Sequence, residues 1–158
     1  MKKFFGNIVE WIAATLVVAL AVVVFLQVFN RYVLKTPLAW SEELAMLLFQ
    51  WVSFLGASIG VKRIRHFGIE LIVKKMPEKV RHKIELFIPL FIGVVAFVMI
   101  TEGIKLIHFN RYRFYSTMNL SYVWPYSAIP VSGCLIIFYL IWYEVRRWTG
   151  KREERSNP

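Results

Sequence analysis

The sequence contains few of the residues from which small proteins build catalytic, redox or metal sites. It has one cysteine, Cys134, and three histidines in 158 residues. One thiol cannot form an internal disulfide, and no Cys/His spacing typical of a metal site is present. Cys134 lies in an apolar run, where cysteine usually serves as a small buried residue. No Ser/His/Asp or Cys/His arrangement occurs either, so the sequence predicts no catalytic and no metal-binding residue.

Charged residues are missing from the middle of four long apolar runs. A soluble domain of this length mixes apolar and charged residues, whereas here 58% of the residues are hydrophobic and they are segregated into blocks. That segregation is typical of membrane helices. We expect an all-α integral membrane protein with a single membrane domain, residues 1–158. The expected transmembrane helices cover about 8–29, 41–61, 78–110 and 122–145.

The N-terminus, MKKFF, resembles the start of a signal peptide. The apolar run that follows is too long for a signal sequence, because residues 8–29 would form a helix of roughly 33 Å. We therefore interpret it as an uncleaved first transmembrane helix. Ser41 is expected to cap the second helix.

Lysine and arginine residues are concentrated on one side of the predicted membrane. Fifteen of the 20 lie in the N-terminal tail, the loop between helices two and three, and the C-terminal tail. The positive-inside rule places these three segments in the cytoplasm. The formal charge of +10 then indicates contact with anionic phospholipids. No nucleic-acid-binding motif is present, so nucleic acid is not an expected partner.

The basic middle loop contains an apolar stripe with helical spacing. Its members follow the pattern i, i+3, i+4, i+7 and are Ile69, Ile72, Val73 and Met76. This pattern predicts a short amphipathic helix, about residues 68–76, lying on the cytoplasmic membrane surface. A plain basic loop is the alternative.

Two glutamates near the ends of predicted helices are the candidates for ion coupling. Glu10 lies close to the start of helix one, where the helix dipole, Lys2 and Lys3 favour a carboxylate. Glu102 has Lys105 three residues later, which favours a local surface pair. We interpret both as structural, because no ionisable residue lies at mid-membrane to pair with them. The histidines are not in mid-span either, which argues against a haem anchor.

The loop between the first two helices is rich in polar and aromatic side chains. Glu42 and Glu43 lie at the positive end of helix two, and Arg31 is close enough along the chain to pair with either. The two acids can also face basic groups on a partner protein. The candidate partner-interface or assembly residues are Asn30, Arg31, Tyr32, Trp40, Glu42 and Glu43.

Helix two also contains a GxxxG spacing at Gly56 and Gly60. Small residues at this spacing allow membrane helices to approach closely. We predict that these two glycines take part in helix packing.

These features together resemble a known family. The matching segments are 30–32, 40–45, 51–66, 69–73, 76–77 and 127–130. On them, the sequence resembles the small membrane subunit (DctQ-like) of the tripartite ATP-independent periplasmic (TRAP) transporters. It departs from the family at Met46 and Leu47, where many members carry a basic residue near this point.

The resemblance implies a function in transport at a bacterial or archaeal inner membrane. It implies a large multi-span subunit that carries the substrate and sodium sites, and a periplasmic substrate-binding protein. This chain would be a non-enzymatic scaffold without cofactor or substrate-binding residues. The expected substrates are organic acids such as C4-dicarboxylates or sialic acid. Two alternatives remain: a self-sufficient four-helix exporter that uses Glu10, and a membrane anchor of a redox enzyme.

Overall fold

The computed structural model describes the backbone of residues 2–63 and 78–155, and the side chains of residues 8–63 and 87–145. This part of the chain forms four helices: α1 (Lys2–Tyr32), α2 (Ala39–Arg63), α3 (Glu78–Asn110) and α4 (Val123–Arg155). Each contains a segment long and apolar enough to cross a membrane. The predicted all-α fold with four transmembrane helices is confirmed.

The helix bounds refine the expectations from the sequence. α3 and α4 continue through Pro89 and Pro130, as is common in membrane helices. α4 extends to Arg155, about three turns beyond its expected end. The predicted surface helix, residues 68–76, lies outside the described residues and stays a prediction.

The four helices are arranged in a row. Extensive contacts join α1 to α2, α2 to α4, and α4 to α3 in the described part of the chain. α2 and α4 therefore occupy the middle, and α1 and α3 the two ends. Loops 33–38 and 111–122 lie at one end of the helices, which we call the hairpin end. Lys62 and Arg63 mark the opposite end, which we call the basic end.

Small residues bring α3 and α4 close together. A Cβ atom added to Gly103 would lie 2.7 Å from Cδ of Pro130, and one added to Gly133 would lie 3.0 Å from the carbonyl oxygen of Ala96. Ala96 and Ala128 are completely buried. Backbones can approach this closely only where side chains are absent or small. The closest packing in the row therefore depends on Gly103 and Gly133.

The turn between α1 and α2 differs from the expected capping. Lys35 has a φ of 54°, in the left-handed region that terminates many helices. α2 begins at Ala39, and the buried Ser41 hydroxyl donates a hydrogen bond of 2.7 Å to the carbonyl of Leu38. The prediction that Ser41 is the N-cap is wrong, because the residue lies within the first turn of the helix.

Candidate functional site

Residues 111–122, between α3 and α4, form a compact hairpin. The backbone N–H of Tyr115 donates to the carbonyl of Leu120 at 2.9 Å, and that of Tyr122 donates to the carbonyl of Arg113 at 3.0 Å. Asn119 has a φ of 54°, a conformation that asparagine tolerates better than most residues. We call this element the α3–α4 hairpin; the long apolar runs on either side predict only a loop here.

Stacked tyrosines stiffen the base of the hairpin. The rings of Tyr115 and Tyr122 stack with centroids 4.3 Å apart, and Tyr126 follows at 6.1 Å from Tyr122. The Arg113 guanidinium lies 5.9 Å from the centroid of the Tyr122 ring and donates to Oδ1 of Asn110 at 3.3 Å. Such aromatic and cation–π contacts add to the stabilisation from burial. The hairpin is thus ordered by its own side chains as well as by its backbone.

Tyr115 is 5% exposed within this stack. Burial raises the pKa of its phenol above the usual value of 10.0, and the neighbouring Tyr122, Tyr126 and Glu43 add to the rise. Each of these effects disfavours a negative charge on the ring oxygen. Tyr115 therefore stays neutral over the physiological pH range.

Glu43, at the start of α2, holds the tip of the hairpin. Its carboxylate accepts hydrogen bonds from the backbone N–H of Thr117, at 3.0 and 3.2 Å, and from that of Met118, at 2.9 Å. Bonds to a charged acceptor are stronger than neutral ones. Glu43 thereby links the start of α2 to the tip of the α3–α4 hairpin, over more than 70 residues of sequence.

The other residues of the predicted interface do not share this contact. Asn30 donates from Nδ2 to the carbonyl of Leu26 within α1. Among the side chains that the structure describes, Arg31 forms no ion pair with Glu42 or Glu43. Tyr32 and Trp40 are exposed. These residues remain available to a partner, and their assembly role stays a prediction.

A sequence signal for the hairpin existed. Polar residues at 116, 117 and 119 separate two short segments rich in aromatic residues, a pattern typical of a β-hairpin. The signal is weak beside the long apolar runs. The contact with Glu43 had no signal at all, because nothing in a single sequence pairs a helix terminus with a distant loop.

The basic end contains an ion cluster that joins three helices. Glu10 of α1 pairs with Lys62 of α2 at 2.9 Å and with Arg63 at 3.5 Å. The Lys62 ammonium lies 5.8 Å from the ring centroid of Tyr139 on α4. The sequence predicts that the helix dipole, Lys2 and Lys3 stabilise Glu10, and the side chains of both lysines lie outside the described residues. The described partners of Glu10 come from α2, so Glu10 ties α1 to the middle of the row.

Glu102 has the local partner that the sequence predicts. Lys105 lies one turn later on α3, and its Nζ is 2.8 Å from Oε1 of Glu102. Both side chains are exposed. Exposed pairs of this kind contribute little to stability.

Gly56 and Gly60 lie on an open face of α2. A Cβ atom added to either would have no neighbour within 4 Å among the described residues. Their role in helix packing within this chain is therefore not seen in the described part, and it stays a prediction. Among the described residues, no group of three His, Cys, Asp or Glu side chains is placed to hold a metal ion.

Comparison with known proteins gives consistent similarities. The family described as "Tripartite ATP-independent periplasmic transporters, DctQ component" matches residues 6–150. The Vibrio cholerae sialic acid TRAP transporter small permease protein SiaQ is 34% identical over 140 residues, covering 87% of this chain and 80% of SiaQ. The Vibrio cholerae C4-dicarboxylate TRAP transporter small permease protein DctQ is 30% identical over 79 residues, covering 50% of this chain and 34% of DctQ.

A longer protein matches equally well. The Haemophilus influenzae sialic acid TRAP transporter permease protein SiaT is 34% identical over 139 residues, covering 88% of this chain. The matched part is only 23% of SiaT, so this chain spans about a quarter of that relative. The matching family consists of transporter components and not of enzymes. The four membrane-spanning helices and the match over residues 6–150 show that the chain is a multi-pass membrane protein belonging to the DctQ component family of the TRAP transporters.

Proposed function

We propose that this chain is the small scaffold subunit of a sodium-coupled importer of organic acids. In the proposal, a large multi-span permease subunit carries the substrate and sodium sites, and a periplasmic binding protein delivers the substrate. The chain itself holds the large subunit in the membrane. The observation that carries the proposal is a comparison of two relatives. The match covers 80% of SiaQ, whereas SiaT is about four times longer than this chain.

The described side chains support a non-conducting role. Glu10 is paired with Lys62 and Arg63, and Glu102 with Lys105. A coupling carboxylate must be free to bind and release its ion during transport, whereas both of these glutamates are paired with basic side chains of this chain. This disfavours the alternative in which the chain alone is an exporter that uses Glu10.

We place the basic end in the cytoplasm, together with both termini, and the hairpin end outside. The distribution of lysine and arginine supports this orientation. Anionic phospholipids would contact the basic loop between α2 and α3. The proposed substrates are carboxylates such as sialic acid or C4-dicarboxylates, the two classes in the names of the relatives.

Reconstitution tests the proposal. Proteoliposomes are prepared with this chain alone, with the large subunit alone, and with both, and uptake of labelled sialic acid and of a C4-dicarboxylate is measured with the binding protein and an inward sodium gradient. We expect uptake of one substrate only when both membrane subunits are present. Sodium-driven uptake by this chain alone would contradict the scaffold role. Full uptake by the large subunit alone would also contradict it.

A further inference from the structure

One face of α3 is open along its described length, and its side chains change from apolar to charged. The spacing 87, 91, 94, 98, 102 and 105 places six residues on this face. The first four are 49–66% exposed and are Phe87, Phe91, Val94 and Val98. The last two are Glu102 and Lys105, whose side chains are 56% and 71% exposed and whose Oε1 and Nζ atoms lie 2.8 Å apart. We call these six residues the outer face of α3.

The composition of the outer face indicates lipid as its neighbour. Contacts between membrane helices are enriched in small residues, because small residues let the backbones approach. The small residues of α3 lie on the opposite side: Ala96 is completely buried, and a Cβ atom added to Gly103 would lie 2.7 Å from Cδ of Pro130 on α4. In the described part of the chain, α3 is the end of the row and packs against α4 through that opposite side. Bulky phenylalanine and valine side chains are left for the outer face.

The charged pair lies inside the membrane-spanning part of α3. Glu102 is next to Gly103, which packs against Pro130. Pro130 lies roughly 10 Å beyond the start of α4. The apolar span of α4 ends at Val145, so residues 131–145 alone would cover only about 22 Å of a hydrocarbon core of about 30 Å. The first turns of α4 are therefore needed to complete the span, and the charged pair lies beside them.

The depth of the pair has an energetic consequence. Trp124 is 59% exposed at the start of α4, where aromatic residues are typical of the head-group level. Counted along the helices, Glu102 is roughly 9 Å deeper than this level. Lys105 can extend its ammonium towards the head groups, but the carboxylate of Glu102 is paired with it at the deeper level. Exposed charges are costly in hydrocarbon, and a bilayer lowers that cost by thinning locally.

We propose that Glu102 and Lys105 bind the head group of a zwitterionic phospholipid, and that the leaflet at the hairpin end is thinner beside α3 than beside the rest of the row. The Lys105 ammonium faces the lipid phosphate, and the Glu102 carboxylate faces the positively charged amine of the head group. The two opposite charges of the protein, 2.8 Å apart, thus match the two opposite charges of the lipid. This inference goes beyond the proposed function, and it holds for either orientation of the chain in the membrane.

Paramagnetic relaxation measures the depth of the head groups. The full-length chain is placed in phosphatidylcholine nanodiscs with a trace of phospholipid spin-labelled on its choline group, and backbone amides are observed by NMR. The reference is Phe25, which is 67% exposed on α1 and lies about as far from the hairpin end of its helix as Ile104 does on α3. We expect the relaxation enhancement at Ile104 to be at least threefold that at Phe25. Equal enhancement at the two amides would overturn the inference.

Paired variants separate the effect of the charges from that of the helix position. Glu102→Leu/Lys105→Leu removes both charges from an exposed face and should lower the enhancement at Ile104 to the level of Phe25. The swapped pair Glu102→Lys/Lys105→Glu keeps both charges and should keep at least half of the enhancement. An unchanged enhancement in the leucine variant, or its loss in the swapped pair, would contradict head-group binding by these two residues.

Two further measurements identify what covers the outer face. With phosphatidylglycerol as the bulk lipid, the enhancement at Ile104 should rise at least twofold, because the labelled lipid then has no zwitterionic competitor. The absence of a rise would refute the charge match with a zwitterionic head group. In the complex with the large permease subunit the enhancement should persist; its loss there would overturn the inference, because α3 would then face protein.

Discussion

Removing the Glu43 carboxylate should release the tip of the α3–α4 hairpin. Two backbone N–H groups, those of Thr117 and Met118, donate to this side chain at 2.9–3.2 Å. A hydrogen bond to a charged group contributes about 1.5–3 kcal/mol when buried. This site is only partly buried, so we take about 2 kcal/mol for both bonds together. Glu43→Gln keeps one acceptor oxygen without the charge, and should lose about half of that.

Amide hydrogen exchange measures the effect directly. An opening free energy lowered by about 2 kcal/mol raises the exchange rates of the Thr117 and Met118 amides roughly 30-fold in Glu43→Ala. Glu43→Gln should give roughly fivefold. The control is Glu42→Ala, which removes the adjacent carboxylate from an exposed position. Equal exchange at both amides in wild type and Glu43→Ala would refute the assignment of Glu43 as the anchor of the hairpin.

Three further predictions follow from local geometry. Gly103→Ala places a Cβ atom 2.7 Å from a proline on α4 and should lower the free energy of unfolding in detergent by about 2 kcal/mol. Gly56→Ala, in open space within α2, should instead raise it by about 0.5–1 kcal/mol, because alanine loses less backbone entropy in a helix. Lys35→Gly relieves a φ of 54° and should raise stability by about 1 kcal/mol, a gain that Lys35→Ala should not show. The pKa of the Tyr115 phenol is raised in the folded state, so the folded protein keeps this proton at a pH where the unfolded chain has lost it. The free energy of unfolding should therefore fall as pH rises above about 10. Tyr115→Phe should weaken that fall; an identical profile would contradict the burial of the phenol.

The long apolar runs in the sequence were sufficient to predict the four membrane helices. Hydrophobic runs of more than 18 residues leave few alternatives in a chain of this size. The local pair of Glu102 and Lys105 was also predictable, because helix geometry places residues three apart on one face.

The packing of the helices was less predictable. Gly56 and Gly60 carry the familiar spacing, yet within this chain the close approach is at Gly103 and Gly133, on α3 and α4. A single sequence does not indicate which face of a membrane helix meets a neighbour, because faces towards lipid and towards protein are both apolar. The order of the four helices in the row depends on which face of each helix packs against a neighbour.

Polar contacts between distant segments were the least predictable part. Glu43 was singled out as a candidate interface residue, a role that stays a prediction, and within this chain its partner is a backbone segment rather than Arg31. Glu10 was expected to be structural, but its partners on α2 were not foreseen. In both cases the acid was visible in the sequence, and the geometry that selects its partner depends on the folded row.

Co-purification tests the central claim most directly. The tagged chain is expressed together with the large multi-span subunit of the same transport system, extracted in mild detergent and purified through the tag on this chain. The scaffold account predicts that the large subunit is recovered in a stable complex that survives size-exclusion chromatography. Recovery of this chain alone, with the large subunit folded and present in the same extract, would contradict it.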